Sequence, residues 1–323
     1  MRPKPSKTLT VLDPTSLLGR EVTEGIARRF PDVRRRLLHT GSDPEHLITE
    51  VAGEPALVPP FSQPEELDGS DAVLVTAPLP APARERLLGW LRSHPDAALL
   101  DCTQPGIAGS AASCVVGAPP AQPPGRRWFH LADPALAAPH RLLAALAPLG
   151  PRVVHLTVVS PVAALGSEAI DELAEQGAAR LSGQPMRTPD RLPAVLAFDL
   201  MPSPGDRSRG LEAQLAELHP GLECTVHAVD AGVFHGHLAT AVVRCEAGPS
   251  LERARALLRG AGLRIARRNE VLTAADVVER GLPIVCGDVQ VGPEWVSAWL
   301  LSDALAVGGT RAALEFAGAV SGW

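Results

Sequence analysis

The sequence contains no tyrosine, and its only lysines are Lys4 and Lys7, close to the N-terminus. Short-chain dehydrogenases need a tyrosine acid, and pyridoxal phosphate enzymes and P-loop NTPases need an interior lysine. Active members of these three classes are therefore excluded. The chain is also rich in alanine, arginine and proline, so an isolated arginine or proline carries little information about function.

Long apolar runs and paired cysteines are missing as well. No apolar stretch reaches the roughly 18–20 residues that a membrane-spanning helix needs, and MRPKPSK leads into the strand-like TLTVLD without the apolar core of a signal peptide. The five cysteines have no CxxC spacing, which indicates free thiols rather than disulfides or a zinc site. We therefore predict a cytoplasmic protein with no bound metal and no membrane partner.

Charge and length set two further limits. The formal net charge is −6, and the basic cluster Arg34–Arg36 is short, so nothing favours a nucleic-acid partner. A chain of 323 residues that is 46% hydrophobic is long enough for two domains with proper cores.

Residues 1–133 show alternating strand-like and helix-like segments. TLTVL precedes a tight loop and the amphipathic EVTEGIARRF, and the apolar DAVLVTAPL and AALLDCT flank the helical RERLLGWLRSH. This alternation predicts an α/β domain with a doubly wound parallel sheet of the Rossmann type. GAPPAQPPGRR is predicted to be a loop, and WFHLAD the last strand of this domain.

Residues 134–301 follow a different pattern. RVVHLTVVSPV is rich in β-branched residues, and TVHAVDAGVFHGHLATAVVRCEA and PIVCGDVQVG alternate between apolar and polar residues. We predict an α+β domain with a mostly antiparallel sheet. Residues 302–323 are predicted to form a terminal helix that packs back on the first domain.

The loop DPTSLLGRE, after the first strand, is a candidate nucleotide-binding segment. Dinucleotide loops use glycines so that backbone N–H groups can approach a pyrophosphate at a helix N-terminus. Here only Gly19 remains, and Asp13 would place a negative charge near a diphosphate. A turn that binds nothing is the main alternative. The candidate cofactor-binding residues are Thr15, Ser16, Leu17 and Gly19.

Two other segments could carry chemistry. His235 and His237 are two residues apart, so on one strand they would share a face, but no acidic or cysteine cluster completes a metal site. One of them could act as an acid–base, or be a buried structural histidine. LADPALAAPH predicts a strand that turns directly into a helix, a place where helix N–H groups lower a thiol pKa. The turn itself, residues 135–138, offers only alanine and leucine.

Taken in order, these segments resemble the aspartate-semialdehyde dehydrogenase family along nearly the whole chain. DPTSLLGRE is similar to the family's GATGAVGRE-type loop, and LADPALAAPH to its ANPNCSTIQ junction. AGVFHGHLATAVVRCEAGPSLERARALL is close to the VPVFRGHS…SLEEAR…LL block and is the most specific match. The further matches, in the expected order, are VVSPVAALGSEAIDELAEQ, FDLMPSPGD and LLSDALAVGGTRAALEFAG.

The resemblance implies a mechanism for true members of the family. A cysteine thiolate attacks the aldehyde carbon, a histidine acts as acid–base, a hydride passes to NADP and phosphate resolves the thioester. In this sequence the cysteine position is Leu136, the neighbouring glutamine position is Ala163, and the arginine that clamps the substrate carboxylate falls at Asp230. The family histidine is retained as His237, together with Gly236.

The cofactor and phosphate positions implied by the resemblance also depart from the family. The first and second glycines of the nucleotide loop fall at Asp13 and Ser16, and the terminal asparagine that helps to hold NADP falls at Ala312. The phosphate loop falls near Cys102 to Ala108, without its arginine.

We therefore predict a catalytically silent protein of this fold. Leucine cannot act as a nucleophile, and Asp230 would repel an anionic substrate. We expect a homodimer formed by the second domain, or a mixed dimer with an active homologue, acting as a binding or dimerising protein. No cofactor is expected, and NADP is the only candidate.

Two active alternatives remain. One is an NADP-dependent semialdehyde dehydrogenase with an altered mechanism and no covalent step. The other uses a displaced nucleophile, for which Cys102 is the candidate, although the adjacent Asp101 should raise the pKa of its thiol.

Overall fold

The computed structural model describes residues 7–41, 47–103, 106–107, 112–116 and 127–322. The chain divides into two compact units, Met1–Ala132 with Gly308–Trp323, and Asp133–Val307. Residues 117–126 of the predicted proline-rich loop lie outside the described residues. Within the described residues, no helix is long and apolar enough to cross a membrane.

The first unit is built on a parallel sheet. Its strands are β1 (Thr8–Leu12), β2 (Arg34–Leu38), β3 (Leu47–Val51), β4 (Glu54–Val58), β5 (Ala72–Val75), β6 (Ala98–Asp101), β7 (Ser113–Val115) and β8 (Trp128–Leu131). Six of them pair in the order β2-β1-β5-β6-β8-β7, with every neighbour parallel, and β3 and β4 form a separate antiparallel hairpin.

Helices occur in both units. They are α1 (Leu17–Arg29), α2 (Ala81–Ser93), α3 (Ala137–Leu146), α4 (Ser167–Ser182), α5 (Arg207–Leu218), α6 (Leu251–Gly260), α7 (Ala274–Glu279) and α8 (Arg311–Gly322).

Both faces of the parallel sheet are buried, as the continuous apolar runs of its strands require. Leu74 and Leu100 point into a core with α1 and α8, whereas Val73 and Leu99 point into a second core with α2. Inside the first core, the Phe129 ring meets the ring of Phe316, which lies on α8, with the ring centres 6.0 Å apart. The predicted α/β class with a doubly wound sheet is confirmed.

The second unit contains a mixed sheet of seven strands. They are β9 (Pro151–Ser160), β10 (Leu200–Pro202), β11 (Glu223–Ala231), β12 (His237–Cys245), β13 (Arg264–Ile265), β14 (Val285–Val291) and β15 (Trp295–Ser302), in the order β10-β11-β9-β12-β15-β14-β13. Four of the six pairings are antiparallel, and β9–β11 and β13–β14 are parallel. The predicted mostly antiparallel sheet is therefore confirmed.

The two faces of this sheet differ. Alternate residues of β9, β11, β12 and β15 form one core with the apolar sides of α3, α5 and α6. On the opposite face, His155, Thr240, Val242 and Arg244 are exposed. Such a half-covered antiparallel sheet explains the alternating pattern of the sequence.

The end of the chain differs from the predicted helix over 302–323. Ser302 is the last residue of β15, where it pairs with His237 of β12, and a π-helical segment, Leu305–Thr310, follows. The α-helix begins at Arg311, after Gly308 and Gly309. Ladder pairing and the poor helix propensity of glycine override the apolar pattern over residues 302–310.

Candidate functional site

Four neighbouring strands of the second unit carry a row of polar residues at one end of the sheet. Asp230 of β11 pairs with Ser160 of β9, and His237 of β12 pairs with Ser302 of β15. Because Leu238 pairs with Val159, His237 lies opposite Ser160. All four polar residues are buried, and strand alternation points them to the same side as the apolar core under α3 and α5. We name Asp230, Ser160, His237 and Ser302 the polar row.

Arg207, the first residue of α5, binds this row. Its Nη1 lies 3.1 Å from Oδ1 of Asp230, and its Nη2 donates to Oγ of Ser160 at 3.0 Å. The same Nη2 is 3.6 Å from Oδ2 of Asp133. The hydroxyl of Ser203 also donates to Oδ1 of Asp230, at 2.7 Å. No pattern in the sequence marks Arg207, although a carboxylate at a buried strand position needs such a partner.

His237 is held neutral in this environment. Burial first, and then the positive charge of Arg207, lowers the pKa of His237 to about 3. Neither ring nitrogen meets a hydrogen-bonding partner among the described residues. At neutral pH the ring therefore offers one N–H donor and one acceptor, and it is a weak base for proton transfer.

The junction before α3 contains a side-chain cap, Asp133, and a buried aliphatic side chain, Leu136. Oδ1 of Asp133 accepts the N–H of Ala135 at 2.9 Å and caps the 3₁₀ turn Pro134–Leu136. Leu136 is fully buried in the main core of the second unit. The carboxylate of Asp133 thus takes up an N-terminal donor that could otherwise stabilise an anion, and an aliphatic side chain fills the position in front of the helix.

The structure places the remaining candidates of this unit in loops. Ala163 lies in a 3₁₀ turn after β9, where its N–H donates to the carbonyl of Phe234. The expectation that His235 and His237 share a strand face is wrong, because His235 is an exposed loop residue. Gly236, with φ +85°, breaks the extended chain between them, and a Cβ there would lie 2.7 Å from the carbonyl oxygen of Ala274.

The described residues give no support for a metal site, because no three histidine, cysteine, aspartate or glutamate side chains gather among them.

Ala312, the position at which the resemblance places an NADP-binding asparagine, lies on α8 and is buried in the apolar core of the first unit.

The β1–α1 loop does not fit a nucleotide pyrophosphate. Asp13 has φ +60°, and its carboxylate accepts both the N–H and the hydroxyl of Thr40, each at 2.7 Å. Oγ of Ser16 accepts the N–H of Gly19 at 3.0 Å, and a Cβ on Gly19 would lie 2.4 Å from the carbonyl oxygen of Asp13. Gly19 thus allows close strand–helix packing. Ser16 engages the Gly19 N–H that a phosphate could otherwise bind, and Asp13 adds a carboxylate that would oppose a phosphate.

The neighbouring candidates of that loop add no phosphate ligand. Leu17 begins α1, and Thr15 lies half-buried in the turn before it. Both supply apolar or neutral groups, so the net effect of the loop on an approaching anion is set by the negative charge of Asp13.

The loop after β6 is ordered around a buried carboxylate. Asp101 accepts the N–H and the hydroxyl of Thr103, at 2.9 and 2.6 Å, and the N–H of Ile107. Burial, with Asp101 second, raises the pKa of the Cys102 thiol. The side chain is therefore not a ready thiolate. Residues 104, 105 and 108 of the expected phosphate loop lie outside the described residues.

No model of a known protein family matches the sequence. Solved structures of aspartate-semialdehyde dehydrogenases match nearly the whole chain. A probable enzyme of Pseudomonas aeruginosa has a TM-score of 0.82 at 20% identity over 96% of both chains. The Vibrio cholerae enzyme II, complexed with ASA, has 0.81 at 19% over 98% of both. The Candida albicans enzyme, with NADP, has 0.71 at 13% over 98% of both. The chain therefore has the fold of these enzymes.

A curated relative also matches part of the chain. The USG-1 protein homolog of Azotobacter vinelandii is 33% identical over 196 aligned positions, in a match that covers 54% of this chain and 57% of that protein. The match thus spans little more than half of either protein.

We predict a pH dependence of stability that comes from His237. Its pKa, about 3 in the folded chain, is near 6.5 when unfolded, so the unfolded chain takes up the proton first as the pH falls. The stabilisation is complete above about pH 6.5 and is lost as the pH falls towards 3. Between about pH 6 and 4.5, the wild-type free energy of unfolding should fall more steeply than that of His237→Gln, by about 1 kcal/mol per pH unit.

Urea unfolding at a series of pH values measures this difference. The exposed His227 of β11 supplies the control, since His227→Gln should retain the wild-type slope. Half-buried His140, whose pKa is lowered to about 4 mainly by burial, contributes equally to all three proteins. Equal slopes for wild type and His237→Gln would contradict the assignment.

Proposed function

We propose that this chain is a divergent member of the aspartate-semialdehyde dehydrogenase family that lacks dehydrogenase activity and acts as a binding or dimerising protein. The observation that carries the proposal is Leu136, which is fully buried behind the Asp133 cap at the start of α3. The similarity of the fold supports the family, and the resemblance aligns this position with the nucleophilic cysteine. No thiol occupies the place where covalent catalysis would begin.

The charges of the site support the same conclusion. The resemblance places a substrate-binding arginine at Asp230, and the structure shows that Asp230 instead engages Arg207. Arg207 also faces Asp133, so its positive charge is shared between two carboxylates. A dicarboxylate-like substrate would lack the unopposed guanidinium that binds it in a forked, two-hydrogen-bond geometry.

We propose that this chain does not use NADP. A solved neighbour of this fold was determined with NADP, and that cofactor is the one to test if the protein is active. In this chain Ser16 engages the N–H of Gly19 at the start of α1. Asp13 places a carboxylate in the same loop, where it accepts two hydrogen bonds from Thr40.

We further propose that the protein is a homodimer formed through the exposed face of the second unit's sheet, the face that carries His155, Thr240, Val242 and Arg244. A mixed dimer with an active homologue through the same face is the alternative assembly. This face contains a depression of about 710 Å³ with Val153, Val242 and Trp295 among its lining residues. Glu223, Arg244 and Glu294 place charges of both signs around it, also in the lining. Mixed charges around an apolar floor suit a self-complementary two-fold contact.

Activity is the direct test of the proposed function. With aspartate semialdehyde, NADP and phosphate, we expect no NADPH formation by the purified protein, and none by Leu136→Cys. A thiol at 136 would lie in the apolar core, where burial opposes thiolate formation, and Asp230 would remain. The Pseudomonas aeruginosa protein, whose fold matches, serves as the comparison in the same assay.

Phosphate-dependent NADPH formation by the wild type would refute the proposal. If such activity were found and Cys102→Ser abolished it, the displaced-nucleophile alternative would hold. Activity that survives Cys102→Ser would favour a mechanism without a covalent step.

The assembly has its own test. Sedimentation equilibrium should give about twice the chain mass of 33.9 kDa for the wild type, and close to the single-chain mass for Val242→Arg. Val242 is 46% exposed on the sheet face, and a buried unpaired guanidinium would oppose the contact. Val271→Arg is the matched control, because Val271 is 90% exposed outside the sheet. A monomeric wild type, or a dimer that tolerates Val242→Arg, would contradict this interface.

A further inference from the structure

The exposed face of the second unit's sheet carries opposite charges on either side of its central strand, β9. Glu223 of β11 pairs with Val153 of β9, and Val153 also pairs with Arg244 of β12. Paired residues of neighbouring strands point to the same face of a sheet, so these three side chains form one row across it. All three line the depression of this face. We name Glu223, Val153 and Arg244 the charged row.

The two charges of this row differ in their partners within the chain. Arg244 is exposed, and its Nη2 lies 3.4 Å from Oε2 of Glu294, which is longer than a charge-assisted hydrogen bond. Glu223 is also exposed, and it forms no ion pair within the part of the chain that the structure describes. Water solvates such a carboxylate, but a protein that covered this face would have to supply a positive partner for it.

Two-fold symmetry decides which residues of two copies meet on such a face. When two sheets pack face to face, the two-fold axis lies between them and parallel to both. An axis along β9 brings β11 of one copy over β12 of the other, so that each Glu223 faces Arg244 of the second copy. An axis across the strands would instead bring Glu223 against Glu223 and Arg244 against Arg244.

The next row of the same face is compatible with the axis along β9. This row contains Thr225 of β11, His155 of β9 and Val242 of β12. Val242 would meet Thr225 of the second copy, so that contact involves no charge. The two His155 rings would meet on the axis, where one imidazole can donate a hydrogen bond to the other. Only the charged row therefore distinguishes strongly between the two axes.

We propose that a second copy of this chain binds the face about a two-fold axis along β9, and that two reciprocal Glu223–Arg244 ion pairs select it as the partner. The inference rests on the proposed homodimer and adds to it an axis and a contact that gives specificity. Each dimer contains the ion pair twice, because a two-fold contact repeats every interaction. A homologue could replace the second copy only with opposite charges at the two facing positions.

Charge reversals test the pairing. Glu223→Arg and Arg244→Glu each place like charges against each other twice per dimer, so each should raise the dissociation constant of the dimer about 100-fold or more. Sedimentation equilibrium of the full chain at a series of concentrations measures this constant. Arg253→Glu is the matched control, because Arg253 is exposed on α6, which covers the opposite face of the sheet. It should leave the constant unchanged.

An equimolar mixture of the two reversed variants tests the same contact in the opposite direction. In the mixed pair, the arginine introduced at 223 faces the glutamate introduced at 244, and the unchanged Arg244 faces the unchanged Glu223. Both contacts again join opposite charges, so the mixture should form dimers at a concentration at which neither variant does so alone. This rescue also shows that both variants are folded.

Neutralisation separates the two axes. Glu223→Gln should weaken the dimer about tenfold if each Glu223 faces Arg244, because two ion pairs are lost. If the two Glu223 carboxylates faced each other, the same change would strengthen the dimer.

Three results would overturn the inference while leaving the proposed homodimer intact. They are a dimer that Val242→Arg disrupts but that tolerates both charge reversals, a mixture of the reversed variants that stays monomeric, and a dimer that Glu223→Gln strengthens. A monomeric wild type would overturn the inference and the proposed homodimer together.

Discussion

The contact between Arg207 and Asp230 is the interaction on which the rest of the site depends. It fixes the start of α5 to β11, and the same guanidinium reaches β9 through Ser160 and the junction before α3 through Asp133. Buried charges of this kind are tolerated only when each has a partner. The pair therefore fixes the position of α5. After burial, the charge of Arg207 also lowers the pKa of His237.

Two strand-to-helix turns of this chain are held by packing and by side-chain hydrogen bonds. The strand, turn and helix around Leu136 persist because Leu136 packs in the core and Asp133 caps the turn. At the β1–α1 loop, Gly19 keeps the close packing of strand and helix, while Asp13 is engaged with Thr40. Packing and capping contacts thus account for both turns.

Much of the fold could be predicted from local pattern. The strand β1 occupies the predicted residues 8–12, and Ser250 caps α6 by accepting the N–H of Arg253, as expected of a serine before a helix. The start of α8 and the face of His235 were predicted incorrectly, because strand pairing and a left-handed glycine depend on the folded chain. Arg207 was missed because its partner Asp230 lies 23 residues away, and only the fold brings the two together.

The most direct measurement is a double-mutant cycle on Arg207→Met and Asp230→Asn, read from urea unfolding. Arg207→Met alone should lower the free energy of unfolding by about 3–5 kcal/mol, because Asp230 is left buried without its counter-charge. The double variant should be less destabilised than the sum of the two single variants, with a coupling of about 2 kcal/mol. Effects that add to within about 0.5 kcal/mol would show that the two groups do not interact and would contradict this account of the site.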